Sequence, residues 1–522
     1  MSLRHRTNRA ASVLVLLVAA VSLCCAFPAS SQIRKDPTAD AGKKQDPLAK
    51  ARSLFAQGDL AGAETSLWTV LSANPDQEQA LTLLGNIRGR QGRYPEAGAL
   101  FRRALQINAN SLLAHEGLGR VLIAENQPGK AIEEYQAAMS LAPGDLGLKV
   151  ETAHLYAASG QFQQALSVLQ AIPANRFPVE AIPVKAATLL ALGKTADVAT
   201  LPEQAKGFPS VEIDLAEVFL DAKLPDQALR CLDFAGANLK GRPARFDYLQ
   251  GRAYQIKGEP QVALGAFRQA LAADPKSVDT LVAIAELHAS QNQHGEAVTA
   301  LQQALALTPD SVIVLRHLVV EATKAGNGQV AVDAASALAA KSPDNPDDLY
   351  LAGAAMLQQN SPGATAVLEK YVALRTDNAK AWLALGMAYV QQKRYTDARK
   401  PLEHSIQLDP LLTEAEYQLG LVAKNEGNSA EAIQHFQRAV KLQPRHAKAL
   451  WNLGNLYLQA GELQQAQETL QAVEAIDPNN LETEYDLGLV LSKLGKPEMA
   501  REHFARFQKL KEGQPPAPRD AR

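Results

Sequence analysis

The sequence predicts an all-α fold, a solenoid of helical hairpins stacked in single file, on three observations. Proline recurs on a fixed period. Pro275, Pro309 and Pro343 are 34 residues apart, as are Pro410, Pro444 and Pro478, and Pro75 and Pro143 differ by twice that step. Each follows an apolar helical run that proline cannot continue, so the period marks the end of a repeated unit. Small residues keep the same register: Gly386, Gly420, Gly454 and Gly488 early in the unit, Ala398, Ala432, Ala466 and Ala500 late in it. Between them stand Gly427, Gly461 and Gly495, where a first helix must stop and turn.

Taken in order, fourteen units begin near Lys44, Glu78, Leu112, Leu146, Glu180, Pro209, Ala244, Val278, Val312, Pro346, Ala379, Thr413, Ala447 and Leu481. Each holds a helix A and a helix B of about a dozen residues joined by a short turn. The early glycine lets helix A approach helix B, and the late alanine does the same from the other side. Leu402, Phe436, Leu470 and Phe504 then fill the space beside them. One hairpin cannot hide its apolar faces, whereas stacked neighbours can. That accounts for 522 residues without one large core.

One stretch departs from the pattern. Pro173, Pro178, Pro183, Pro202 and Pro209 crowd residues 172–210, and the unit near Glu180 is short. Helices there are expected to be clipped, giving a degenerate repeat or hinge at 180–208 between an N-terminal array (44–179) and a C-terminal one (209–512). The last unit ends at Arg506–Leu510, and Phe504, Phe507 and Leu510 are expected to be partly exposed or covered by a partner.

Three consecutive units show what the repeat resembles. Trp382, Leu385-Gly386, Tyr389, Ala398, Leu402 and Pro410 recur as Leu419-Gly420, Ala432, Phe436 and Pro444. They recur again as Trp451, Leu453-Gly454, Tyr457, Ala466, Leu470 and Pro478. This resembles the tetratricopeptide repeat (TPR) family over about nine-tenths of the chain. The resemblance implies a right-handed superhelix of stacked antiparallel helix pairs whose helices A line a concave groove for a protein or peptide segment.

The N-terminus is read separately. Arg4, Arg6 and Arg9 precede an uncharged run from Ala10 to Ala26, the form of a secretory signal peptide cleaved at Ala26 or Ala29. Residues 27–43 read as a flexible linker, and 513–522, with Pro515, Pro516 and Pro518, as a disordered tail. The expected location is the periplasm or cell envelope of a bacterium, with no membrane span after cleavage. Two of the three cysteines fall in the signal segment, which leaves Cys231 as a lone packed thiol. A net charge of −2 argues against a nucleic-acid partner, and mixed charge along the helices is expected to solvate the outer face.

No catalytic constellation stands out. Gly193-Lys194-Thr195 has the end of a phosphate loop, but Thr188 occupies its first glycine position. The histidines are scattered, His435 and His446 being too far apart for a local metal pair, so no metal and no cofactor is expected. The resemblance instead places Tyr248, Tyr350, Tyr417, Trp451 and Tyr485 at the fifth position of their units, a contact position of the groove. Lys448, Asn452 and Asn455 take the second, sixth and ninth positions of one unit. The basic clamp of TPR co-chaperones is absent: Tyr417 and Leu421 stand for its first pair, and Glu482 and Asp486 for its last. Long TPR arms of O-linked GlcNAc transferases are similar in the Asn452–Asn455 run, but only that unit carries the asparagine pair. The expectation is a non-enzymatic adaptor that grips a protein segment and aids assembly of an envelope or secretion complex. The alternative is a regulatory or substrate-recruiting subunit of an enzyme such as a glycosyltransferase or protease.

Overall fold

The computed structural model describes residues 46–513. The expected signal peptide, the linker and the tail beyond Gly513 lie outside the described residues. Among the described residues there are 28 α-helices, three short 3-10 turns and no strand. None of these helices is long and apolar enough to cross a membrane. The chain forms two compact units, dividing between Pro275 and Lys276.

The first unit holds seven hairpins. They are α1 (Pro47–Ala56) with α2 (Leu60–Ala73), α3 (Glu78–Arg90) with α4 (Tyr94–Ile107), and α5 (Leu112–Ala124) with α6 (Pro128–Leu141). Next come α7 (Leu146–Ala158) with α8 (Phe162–Gln170), then the shortened pair α9 (Ile182–Ala191) and α10 (Leu201–Ala205). It closes with α11 (Pro209–Asp221), α12 (Pro225–Asn238), α13 (Ala244–Lys257) and α14 (Pro260–Ala273). In the proline-rich stretch, 3-10 turns at Ala174–Arg176, Val179–Ala181 and Thr195–Val198 replace helix, and α10 is a single five-residue piece.

The second unit also holds seven. They are α15 (Val278–Ser290) with α16 (His294–Leu307), α17 (Val312–Lys324) with α18 (Gly328–Lys341), and α19 (Pro346–Gln358) with α20 (Ala364–Leu374). Then follow α21 (Ala379–Gln391) with α22 (Tyr395–Leu408), and α23 (Thr413–Asn425) with α24 (Ser429–Leu442). Last are α25 (Ala447–Ala460) with α26 (Leu463–Ile476), and α27 (Leu481–Lys493) with α28 (Pro497–Glu512).

The periodic prolines do two things at once. Each ends a second helix, and after most of them a polar side chain two residues later caps the next first helix. Asp145, Ser277, Ser311, Asn345 and Asn480 follow Pro143, Pro275, Pro309, Pro343 and Pro478 in this way and accept from backbone N–H groups of the first turn. Inside the hairpin the turn is equally regular. Every hairpin has one residue of positive φ between its helices, from Gly58 to Gly495. In nine it is glycine, and in the others Asn126, Lys223, Asn292, Asn360 or Lys393.

Close packing explains the early glycines. A Cβ at Gly420 would lie 2.5 Å from the Phe436 ring, and one at Gly386 would lie 2.5 Å from Leu402. Ala398, Ala432 and Ala466 are fully buried opposite them. Charge does more than solvate an outer face. Arg88 reaches back to Glu64 (2.9 Å) and Arg120 forward to Glu151 (3.2 Å). Arg252 holds Asp221 (3.0 Å), while Arg316 grips the buried Asp348 with both arms. Each bridge spans 24 to 32 residues and ties one hairpin to the next. Some of the charge thus forms a set of inter-hairpin ties in addition to solvating the surface.

Candidate functional site

Three consecutive first helices of the second unit, α21, α23 and the start of α25, build a cleft of ≈ 470 Å³. Met387, Val390, Tyr417 and Leu421 give it apolar walls, and Gln391, Glu414, Gln418, His446 and Lys448 a polar rim. Spacings of three and four residues put Met387, Val390 and Gln391 on one stripe of α21, and Glu414, Tyr417, Gln418 and Leu421 on the matching stripe of α23. His446 accepts from the Ala449 N–H through Nδ1, so its proton sits on Nε2, which faces Glu414 at 3.6 Å. Gln418 also donates to Glu414 (2.6 Å).

Tyr417 lies in the cleft wall, its ring 5.9 Å from Phe436 and 5.0 Å from His446. Burial, with Glu414 adding to it, pushes its phenol pKa up. Lys448 is exposed at the rim. Trp451 is one turn further along α25, where its Nε1 donates to Asp486 (3.1 Å) and Lys424 Nζ stands 5.6 Å from its ring centre. Asn452 is buried and fully engaged. Its Oδ1 accepts from Lys424 Nζ (2.8 Å), and its Nδ2 donates to the Lys448 carbonyl (2.9 Å). Asn455 donates to Asp486 (3.1 Å) and to the Trp451 carbonyl (3.2 Å). Asp486 is buried, and that burial raises its pKa against the bonds from Asn455 and Trp451.

Tyr485 follows on α27, 43% exposed, with Phe504 and Phe507 beside it at 6.0 and 5.3 Å. Phe504, Phe507 and Leu510 are half-buried. Tyr350 sits on α19 against Tyr371 (5.3 Å), and Tyr248 in the first unit against Phe267 (6.0 Å). Tyr417, Lys448, Trp451, Asn452, Asn455 and Tyr485 therefore share one continuous set of first helices. Every tyrosine of the set also packs on an aromatic residue of its own second helix.

A polar pairing inside the hairpins was not anticipated from the sequence. His435 Nδ1 lies 2.7 Å from Glu416, and His503 Nδ1 2.8 Å from Glu484. His115 Nδ1 lies 2.6 Å from Glu134 with the two residue types exchanged between helices. In all three the partners are nineteen residues apart. The spacing was legible as a signal once the period was known. Glu474 joins Glu484 and His503 so that three ligand atoms fall within 4.8 Å of one another, the arrangement nearest to a metal set among the described residues. Glu474 is already held by Arg506 (2.9 Å), and Glu484 by His503.

Family models agree with the architecture. Tetratricopeptide repeat models match residues 48–112, 122–181 and 213–278, and the model of the cilia and flagella-associated protein 70 C-terminal domain matches 277–521. Cellulose synthase operon protein C of Escherichia coli (strain K12) is 25% identical over 292 residues, half of this chain and 23% of that protein. Its namesake from Xanthomonas axonopodis pv. citri (strain 306) is 32% identical over 127 residues, 23% of this chain and 8% of that one. The chain thus spans less than a quarter of the length of these relatives. Among solved structures, the APC/C hetero-tetramer Cut9–Hcn1 is 15% identical with a TM-score of 0.38, over 89% of this chain and 93% of that one. The described residues are an all-α solenoid of tetratricopeptide repeats.

Proposed function

We propose that the chain is a non-enzymatic scaffold that holds an extended segment of a partner protein along the first helices of its second unit. The observation that carries this reading is the cleft between α21, α23 and α25. Its walls are apolar, its rim is polar, and first-helix side chains with the capping His446 supply all of it. Side chains of an extended segment need apolar recesses, and its backbone needs donors and acceptors beside them. Gln391, exposed at the rim, supplies both, and Tyr417 and Trp451 add contact area at low entropy cost.

We place the work in the cell envelope, as an aid to assembly of an envelope or secretion complex. The support is the basic and then apolar N-terminal run, together with the similarity to cellulose synthase operon protein C. The same similarity favours a second reading, a regulatory or recruiting subunit for a glycosyltransferase. Residues 180–208 we take as a degenerate repeat separating the arrays 44–179 and 209–512.

A photo-reactive amino acid at Leu421, compared with one at the exposed Gln434 on α24, tests the groove. Adducts to a discrete partner from Leu421 and none from Gln434 are expected in envelope extract. Equal labelling from both positions overturns the reading. A catalytic subunit among the Leu421 adducts would select the second one.

A further inference from the structure

Beside the cleft stand two ammonium groups without counter-ions. Among the described residues neither Lys424 nor Lys448 has a carboxylate within ion-pair distance. Lys448 is exposed at the rim, but Lys424 is half-buried one turn beyond Leu421 of the cleft wall. Its Nζ has the neutral Asn452 Oδ1 at 2.8 Å and the Trp451 ring at 5.6 Å. Burial lowers its pKa, the sign of a cation poorly compensated by its surroundings. A desolvated ammonium is costly without a partner of opposite charge.

The nearby acids are committed elsewhere. Glu414 is turned to Gln418 and His446, and Asp486 accepts from Trp451 and Asn455. Asn452 joins the two lysines, accepting from the Lys424 side chain while donating to the Lys448 backbone. The Lys424 ammonium is therefore held beside the apolar wall, while Lys448 extends from the rim.

We propose that the segment held here carries an Asp or Glu beside an apolar residue. The apolar side chain fills the recess of Met387, Val390, Tyr417 and Leu421, and the carboxylate sits between Lys424 and Lys448. This rests on the groove reading above and adds the chemistry of the occupant. Filling the recess seals Lys424 from water, which strengthens its attraction for the incoming carboxylate.

The test is a selection of phage-displayed unstructured dodecapeptides on the purified full chain. Enriched peptides are then synthesised with the acid intact or as the matching amide, and measured by fluorescence anisotropy. The expected result is enrichment of Asp or Glu next to an aliphatic or aromatic residue. Acid-to-amide exchange should weaken binding about tenfold on the unsubstituted chain and far less on Lys448→Met or Lys424→Met, as for a charge-assisted hydrogen bond. Lys448 is exposed, so Lys448→Met alone keeps the comparison usable if Lys424→Met perturbs packing. Peptides that lose binding on Leu421→Arg but ignore acid-to-amide exchange overturn this inference and leave the groove reading standing. Peptides indifferent to Leu421→Arg overturn both.

Discussion

Four hairpins bury an acid at the same point of the repeat, and only two of them answer it with a histidine. Glu416 on α23 and Glu484 on α27 stand four residues before Gly420 and Gly488. Nineteen residues on, His435 and His503 meet them. Glu212 on α11 and Asp247 on α13 stand four residues before Ala216 and Gly251, but the partner positions hold Cys231 and Ala266. There the carboxylates remain partly orphaned. Glu212 Oε1 accepts from the Gly207 N–H (2.8 Å) while Oε2 has no hydrogen bond. Asp247 Oδ1 has none either, with Arg242 at 3.6 Å. Burial is the main reason both acids have raised pKa values. The exchanged pair His115–Glu134 shows that complementarity, not the identity of the acid-bearing helix, is what the position requires. Where the second helix supplies no complement, the buried acid stays partly unpaired and its carboxyl is pushed toward the neutral form.

The comparison can be broken most strongly at the paired end. His503→Ala leaves Glu484 buried without its imidazole, and should destabilise the α27–α28 hairpin by about 3 kcal/mol. Hydrogen exchange resolved to that hairpin is the right readout, because a stack of repeats opens locally. Unchanged protection would mean that the pair is incidental.

Reversal is the next test. Glu416→His or His435→Glu alone sets like groups against each other and should cost about 2 kcal/mol, whereas the two together should restore most of it. The natural precedent is His115–Glu134, and failure of the double variant would make the orientation itself essential.

The unpaired end can be repaired. Cys231→His places an imidazole opposite Glu212. Its overpacking cost is removed by measuring it in both the Glu212 and the Glu212→Gln backgrounds. A favourable coupling of about 1–2 kcal/mol is expected. No coupling would show that the geometry of the α11–α12 hairpin differs from that of α23–α24.

Smallest is Glu212→Gln by itself, a gain of about 1 kcal/mol near neutral pH. Because the folded pKa is raised, the wild-type stabilisation is full below the ordinary value of 4.5 and is lost as pH rises through the folded pKa. Protection of α11–α12 should therefore increase on acidification toward 4.5 in the wild type and stay flat in Glu212→Gln. The neighbouring Cys231 thiol, pushed up to about 12 by burial and by Glu212, should stay unalkylated in the native protein.

The sequence was most legible where one hairpin decides the outcome. Proline stops, caps two residues later and glycines beneath Phe436 or Leu402 are local, so their spacing alone locates the helices. The α9–α10 departure was equally visible as a crowd of prolines. What stayed hidden depends on the neighbouring hairpin. Asn452 and Asn455 read as free donors because Lys424 and Asp486 are 28 and 31 residues away in sequence, and only stacking brings them together. Charged residues read as solvated for the same reason. Nothing in the sequence singled out Glu416 and Glu484, because the nineteen-residue partner becomes meaningful only after the hairpin is drawn.

The left-handed residue between the helices of every hairpin carries a wider consequence. Closure of each module is settled by its own few turn residues and asks nothing of the modules on either side. Duplicating or deleting a module therefore leaves every other joint intact and disturbs only the ties between the hairpins that newly meet. Asn126, Lys223, Asn292, Asn360 and Lys393 show how far the joint tolerates drift once glycine is gone.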